Sequence, residues 1–315
     1  MNGTRQAADP APIRSLLRHF RARRPLRGGS LIITVFGDAI APRGGAVTLG
    51  SLIRLAAPLG LTERLVRTSV ARLAREGWLL ARRSGRRSEY RLTASGAARF
   101  AEATRRIYAQ SPQRWDGHWT LVLLPLALRS RKVRRELRWL GFGELTPSLL
   151  ANPGCTPQQA RRLLTPLTGT ASPLVLRSLS QELAVDRQLA SRGWDLKELA
   201  RRYRRFLRRF SQVESAVAGA PIAPHTAFAV RTLLIHEYRK IHLQDPLLPP
   251  QLLPRDWVGA AAYELCRRLY AQVFASAEGY LSVTAHRLKR PLPAASTAAR
   301  SRFSGVEAAR ARPSP

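Results

Sequence analysis

The sequence predicts an α+β chain, and three observations carry that prediction. Between residues 29 and 93, helix-like and strand-like segments follow one another in a fixed order, punctuated by glycines and threonines. Over 113–190 strand-like and helix-like segments alternate. From 191 to 280 apolar residues recur at spacings of three and four, the period of a helix with one buried face. At 315 residues and 45% hydrophobic content the chain can build two or three cores. No apolar run approaches a membrane span; the best, LLPLAL from Leu123, is too short. Cys155 and Cys266 form no metal or redox spacing and fit a reducing cytoplasm.

The net charge of +33 points to an anionic partner and says nothing of fold. Only four of the 53 basic residues are lysine (Lys132, Lys197, Lys240, Lys289), and a GC-rich coding sequence produces the same arginine excess. Where the arginines sit therefore matters more than how many there are.

Residues 1–28 read as a flexible basic arm, with Ile13, Leu16, Leu17 and Phe20 at helical spacing. SLIITVFGDAI, from Ser30, reads as an apolar helix, AVTL as a short strand, and LGSLIRLAAPLG as a second helix ended by Gly60. Thr62 is a natural N-cap for a third helix, Glu63 to Arg75, with Glu63 in the first turn where negative charge suits the dipole. Gly77 ends it. WLLARR and SEYRLT then read as two strands around Ser84-Gly85, anchored by Leu80, Tyr90 and Leu92, and Thr93 caps a further helix.

Helix, strand, helix, sharp turn, helix, hairpin is the order of a winged helix-turn-helix. The third helix would turn Val66, Val70 and Leu73 inward and Arg64, Arg67, Thr68, Ala71 and Arg75 outward. The DNA-binding candidates are Thr62, Arg64, Arg67, Thr68 and Arg72 on this helix and Arg83, Arg86 and Arg87 at the hairpin tip, where arginines suit phosphates or a minor groove. A solvated charged loop is the bland alternative.

Beyond a linker helix over 94–112, HWTLVLLPLAL reads as a strand and SRKVRRELRWLGFG as a helix, with extended segments around LTPSLLAN and from Pro173 to Leu179. The helical region puts Leu196, Leu199, Tyr203, Phe206, Leu207 and Phe210 on one stripe, and Val230, Leu234, Tyr238 and Ile241 on another. Residues 281–315, rich in Ala, Pro, Ser and Arg, read as a disordered tail.

The segments SLIITVFGDAIAPRGG, GLTERLVRTSVARLAREGWL, GRRSEYRLTASG, RRELRWLGFGEL and HEYRKIHLQDPLLPPQLLPRDWVG resemble the PaaX repressors of bacterial phenylacetic acid degradation. The last is the most specific of them. The resemblance runs from Ser30 to about Phe274 and leaves the arm and tail outside. It implies a homodimeric repressor that sits on a palindromic duplex operator at the nucleoid and leaves it on binding the effector phenylacetyl-CoA, with no enzymatic cofactor. It also implies a ferredoxin-like middle domain over 113–190 and a helical effector and dimerisation domain over 191–280.

A CoA thioester needs cations for its phosphates and an apolar slot for its ring. Arg231, Arg239 and His236 are candidates for the first, Tyr238 and Trp257 for the second. The competing reading makes His236, Arg239, Asp245 and Asp256 one internal polar network. His236 and His242 lie six apart, on different helix faces, so the spacing predicts no zinc site. The alternative function is a nuclease built on the middle domain. The CRISPR-associated endoribonucleases whose ferredoxin-like fold the family's middle domain resembles use an aspartate at the end of the first strand, whereas HWTLVLLPLALRSR contains no acid and the nearest are Asp116 and Glu136.

Overall fold

The computed structural model describes residues 8–25, 27–109, 115–168, 173–288 and 290–304. They form two compact units, one of Met1–Ala109, Arg205–Lys240 and Ala260–Pro315, the other of Gln110–Arg204 and Ile241–Gly259.

Helix α1 (Ala11–Arg21) opens the first unit with Ile13, Leu16, Leu17 and Phe20 all buried. Over this stretch the expected flexible arm is a docked amphipathic helix, with Phe20 edge-on to His236 and Arg23 paired to Glu237 at 2.9 Å. Next come α2 (Gly28–Val35), which continues as a wider helical turn to Ile40, β1 (Ala46–Thr48), α3 (Leu49–Ala56) and α4 (Glu63–Arg75). The hairpin β2 (Leu79–Ser84) and β3 (Arg87–Leu92) and helix α5 (Ala94–Tyr108) follow.

Threonines start three of these helices: Thr48, Thr62 and Thr93 accept from the backbone N–H groups of Ser51, Leu65 and Gly96. Gly60, between α3 and α4, has φ +80°, a conformation that costs a side-chain-bearing residue far more. The strands form an antiparallel sheet of order β1-β3-β2 in the register Val47↔Tyr90 and Leu79↔Leu92. That register corrects the expected anchor of the hairpin. Leu79 is buried and Leu80 is 61% exposed, because side chains alternate along a strand and the face that Leu79 shares with its partner Leu92 is the one Leu80 turns away from. Helix α5, expected as a linker, buries Phe100, Ile107 and Tyr108 in the first unit.

The second unit runs β4 (His118–Leu123), α6 (Arg131–Trp139), β5 (Gly143–Glu144), β6 (Leu149–Asn152), α7 (Pro157–Thr168), β7 (Leu174–Leu179) and α8 (Leu183–Gly193). Its sheet is antiparallel in the order β5-β6-β4-β7, so the βαββαβ succession places its first and third strands at the centre, as in a ferredoxin-like fold. Val122, Leu124, Leu137, Phe142, Leu150 and Val175 form much of its core.

Helices α9 (Leu196–Gly219), α10 (Pro224–His242), α11 (Gly259–Thr284) and α12 (Thr297–Arg300) complete the chain. Residues 191–280, expected as one helical domain, are divided between the two units. In α10 every residue from Ala227 to Ile235 is buried, so this helix is enclosed rather than one-sided. The expected disordered tail is folded through its described part: Ala285, Leu292, Ala295, Ala299 and Phe303 are buried, because apolar residues recur often enough there to reach the core. Residues 305–315 lie outside the described residues.

Candidate nucleic-acid interface

Helix α4 has two faces of opposite character. Val66, Ser69, Val70 and Leu73 are buried, while Arg64, Arg67, Thr68, Ala71, Arg72 and Arg75 are exposed. Thr62 is occupied as the N-cap. Arg67 donates through Nε and Nη2 to Glu63 Oε1 at 2.8 and 2.6 Å. Both side chains are more than half exposed, so this pair is worth only about 0.3–0.5 kcal/mol and readily yields to a stronger anion. Thr68 Oγ1 donates to the Arg64 carbonyl at 3.0 Å, leaving its lone pairs free to accept. Arg72 folds back over Gly29 and approaches Glu76 at 3.6 Å, which makes it the least outward-reaching of the helix candidates.

In the hairpin Arg82, Arg83, Arg86 and Arg87 are all exposed. Arg82 stands opposite Glu89, yet Glu89 is buried and its carboxylate accepts from the Leu288 N–H at 3.1 Å. Among the described residues no carboxylate lies within ion-pair distance of these four arginines or of Arg64. Arg67, Arg86 and Arg87 border one open cleft of about 700 Å³.

The residues expected to hold an effector are mostly committed elsewhere. Arg231 is fully buried, donating from Nε to Asp38 Oδ2 at 2.8 Å and from Nη1 to Glu278 Oε1 at 2.6 Å. Burial would raise the Asp38 carboxyl, but the Arg231 and Arg302 charges and the Tyr108 and Tyr270 hydroxyls hold it below its usual range. His236 Nδ1 lies 2.9 Å from Thr34 Oγ1, and burial, aided by Arg239 and Lys240, lowers its pKa to about 3. Arg239 donates to Thr34 Oγ1 at 2.8 Å and to the Ser30 carbonyl at 2.7 Å. Tyr238 is buried against Phe206. In the second unit, half-buried Trp257 packs edge-on against Tyr203.

The four members of the polar network expected from His236, Arg239, Asp245 and Asp256 are divided between the two units. His236 and Arg239 tie α10 to α2, Asp245 accepts from Tyr203 at 2.8 Å, and Asp256 pairs with Arg204. A phosphate could reach Arg231 only by displacing two carboxylates. An unassigned cleft of about 490 Å³ does exist in the first unit, walled by Phe274, Leu281, Leu292 and Ala295 and bordered by Arg43, Glu278 and Arg300. Position-by-position reading missed it because it depends on the folding of 285–300. In the second unit Asp116 pairs with Arg177 at 2.9 Å, and Glu136 lies beside Arg135. Among the described residues no group of three His, Cys, Asp or Glu side chains could hold a metal ion.

Residues 27–96 match the model of the PaaX-like protein, 112–190 that of the PaaX protein central Cas2-like domain, and 194–283 that of the PaaX-like protein C-terminal domain. The transcriptional repressor PaaX of Escherichia coli (strain K12) is 35% identical over 300 residues, covering 93% of this chain and 95% of the relative. The chain belongs to the PaaX family. An uncharacterized Mycobacterium tuberculosis protein of solved structure is 22% identical, covering 72% of this chain and 89% of its own, with a TM-score of 0.44. Within the PaaX match, the first segment contains the whole β1-β3-β2 sheet and α4, and the second contains the four-stranded sheet. Helix α1 and residues 284–304 fall outside the three matched segments.

Proposed function

We propose that the first unit carries a winged helix-turn-helix and that the chain is a DNA-binding transcriptional repressor of a phenylacetate catabolic operon, acting in the bacterial cytoplasm. In this reading α4 enters the major groove and presents Arg64, Arg67 and Thr68 to base edges, while Arg83, Arg86 and Arg87 of the hairpin grip the backbone or minor groove. The observation that carries it is the pairing of an outward arginine face on α4 with a hairpin whose Arg82, Arg83, Arg86 and Arg87 meet no carboxylate among the described residues. Guanidiniums left unpaired at the surface keep their charge for phosphate. The similarity to a protein named as a transcriptional repressor supports the same reading. The protein acts as a homodimer on a palindromic operator, and phenylacetyl-CoA releases it.

For the effector, the cleft supplies an apolar wall for the acyl end and, at its border, the exposed guanidinium of Arg300, within the size range of small-molecule sites. The buried Arg231, His236 and Tyr238 and the half-buried Arg239 then act as supports rather than as direct contacts, and Trp257 serves the packing of the second unit. Fluorescence anisotropy on the DNA upstream of the protein's own gene and neighbouring operons tests the whole reading. Phenylacetyl-CoA should release the protein, while phenylacetate and CoA separately should not. Tight operator binding that ignores all three compounds removes the effector and leaves the DNA reading standing.

A further inference from the structure

The segment after α11 forms a tight loop docked on the α4 unit. Leu292 N–H donates to the Ala285 carbonyl at 3.0 Å, Arg287 N–H donates to the Arg290 carbonyl at 2.8 Å, and His286 bridges Pro291. The loop is fixed to β1 and α3: Thr48 N–H donates to the His286 carbonyl at 2.9 Å and His286 N–H to Ser51 Oγ at 3.0 Å. It is fixed to the hairpin as well, through Leu288 N–H and the buried Glu89 carboxylate. Its sequence, HRLKRP, carries three basic residues in six.

Arg287 Nη2 donates to the Gly44 carbonyl at 3.1 Å, and a side chain at Gly44, which has φ +84°, would collide with that guanidinium. Arg287 Nε is buried without a partner among the described residues. Arg290 is exposed, and no carboxylate among the described residues lies within ion-pair distance of it. The loop forms one wall of the cleft of about 700 Å³ that Arg67, Arg86 and Arg87 also border. Arg54, Arg67, Arg86, Arg87, Arg287 and Arg290 therefore surround one cleft, and among the described residues that line it none is acidic. Arg67 is paired with the exposed Glu63, and the other five guanidiniums, gathered without lining carboxylates, repel one another until an anion with several charges lies between them.

We infer that the loop 286–291 is a second basic arm of the duplex-binding surface, in which Arg287 and Arg290 contact the phosphate backbone across the cleft from the hairpin. This rests on the DNA reading of α4 and adds to it a contact from the far end of the chain.

The full-length protein with Arg290→Ala, Arg290→Glu or Arg287→Ala is titrated onto a short random-sequence duplex and onto upstream DNA across a range of salt. Thermal unfolding checks that each variant is folded, and Arg290, which is exposed, keeps the test valid if Arg287→Ala disturbs the Gly44 contact. Arg290→Ala should weaken both duplexes severalfold and reduce the slope of log affinity against log salt by roughly 0.9, the share of one phosphate contact. Arg290→Glu should weaken them further. Unchanged affinity and slope in folded Arg290 variants, while Arg86→Ala with Arg87→Ala weakens binding, overturns the inference alone. Wild-type protein that binds no duplex overturns the DNA reading and this inference together. Arg290 variants that bind duplex normally but lose affinity for CoA also overturn it, assigning the cleft to a nucleotide instead.

Discussion

Around Asp38, Arg231 and Arg302 are buried and hydrogen-bonded to its carboxylate, and Arg43 pairs with Glu278. Across α4, the hairpin and the loop 286–291, most arginines of the same unit are exposed and meet no carboxylate. The two regions use one side chain for opposite purposes. In the first its fork of donors is consumed inside the protein, joining α10, α11 and the segment after α12 through Asp38 and Glu278. In the second the charge is left to solvent, where it contributes little to stability and is available to a partner. A net charge of +33 conceals this division, since both sets count equally in the sum.

The largest test of that contrast is Asp38→Asn. Asp38 Oδ1 accepts from Tyr108, Tyr270 and Arg302 at 2.8–2.9 Å, and Oδ2 accepts from Arg231. An amide removes the negative charge and replaces one acceptor with a donor, leaving two buried guanidiniums short of counter-charge. Chemical denaturation should show a loss of about 3–5 kcal/mol. Arg86→Ala with Arg87→Ala should change stability by less than about 0.5 kcal/mol. Similar losses in the two variants would erase the distinction.

Acid sharpens the same comparison with a somewhat smaller effect. His236 is buried and neutral, its pKa lowered from 6.5 to about 3, first by burial and then by the Arg239 and Lys240 charges. Burial alone would raise Glu237, but the hydrogen bonds from Arg23 and the Lys240 charge outweigh it and bring the carboxyl from 4.5 to about 2. Between about pH 6.5 and 3 the unfolded chain holds the His236 proton that the folded protein refuses, and below 4.5 the same holds for Glu237. The unfolded state binds more protons throughout, so stability is lost as pH falls. The unfolding free energy from chemical denaturation should drop steadily from pH 7 to pH 4, by roughly 1.4 kcal/mol for each unit over which one group is out of step. In His236→Asn the decline above pH 5 should flatten. A wild-type unfolding free energy constant over that range would show that neither group is held as its surroundings require.

What the sequence disclosed follows the same division. Thr62, Gly60, Gly77 and Thr93 mark caps and turns through local backbone chemistry, so α4 and the start of α5 could be read from a few residues each. The hairpin strands were legible, but not their phase: Leu79 and Leu80 are adjacent leucines, and only pairing with Leu92 decides which one faces the core. Helices α7 and α8 escaped because α7 contains Pro166 and α8 exposes Leu183 and Val185, which blurs the apolar stripe. The Asp38 cluster could not be seen at all, since residues 38, 108, 231, 270 and 302 share no local pattern. The tail was misjudged for a related reason: a polar, proline-rich composition hid the few residues, among them Arg302 and Phe303, that bind it to the core.

For the exposed arginines the expected losses move from stability to binding. Arg67→Ala should lower affinity for the specific duplex by about 1–3 kcal/mol with less effect on random DNA, if the side chain reads a base. The ion pair with Glu63 is exposed, so stability should change by no more than about 0.5 kcal/mol. Equal losses on both duplexes would reassign Arg67 to the backbone, in line with its place beside Arg86 and Arg87 on the cleft.

Thr62 gives the smallest effect and separates the two kinds of contribution on one residue. Its hydroxyl accepts the Leu65 N–H at 3.3 Å, and it is also exposed at the start of the helix that carries Arg64 and Arg67. Thr62→Ala removes the cap and should cost about 1 kcal/mol of stability, whereas Thr62→Ser keeps an acceptor and should cost less. If the hydroxyl serves only the helix, duplex affinity at a temperature well below unfolding should be nearly unchanged in both variants. A loss of affinity in Thr62→Ala that Thr62→Ser restores would place the same hydroxyl on a phosphate, and the helix start would then belong to the binding surface as well as to the fold.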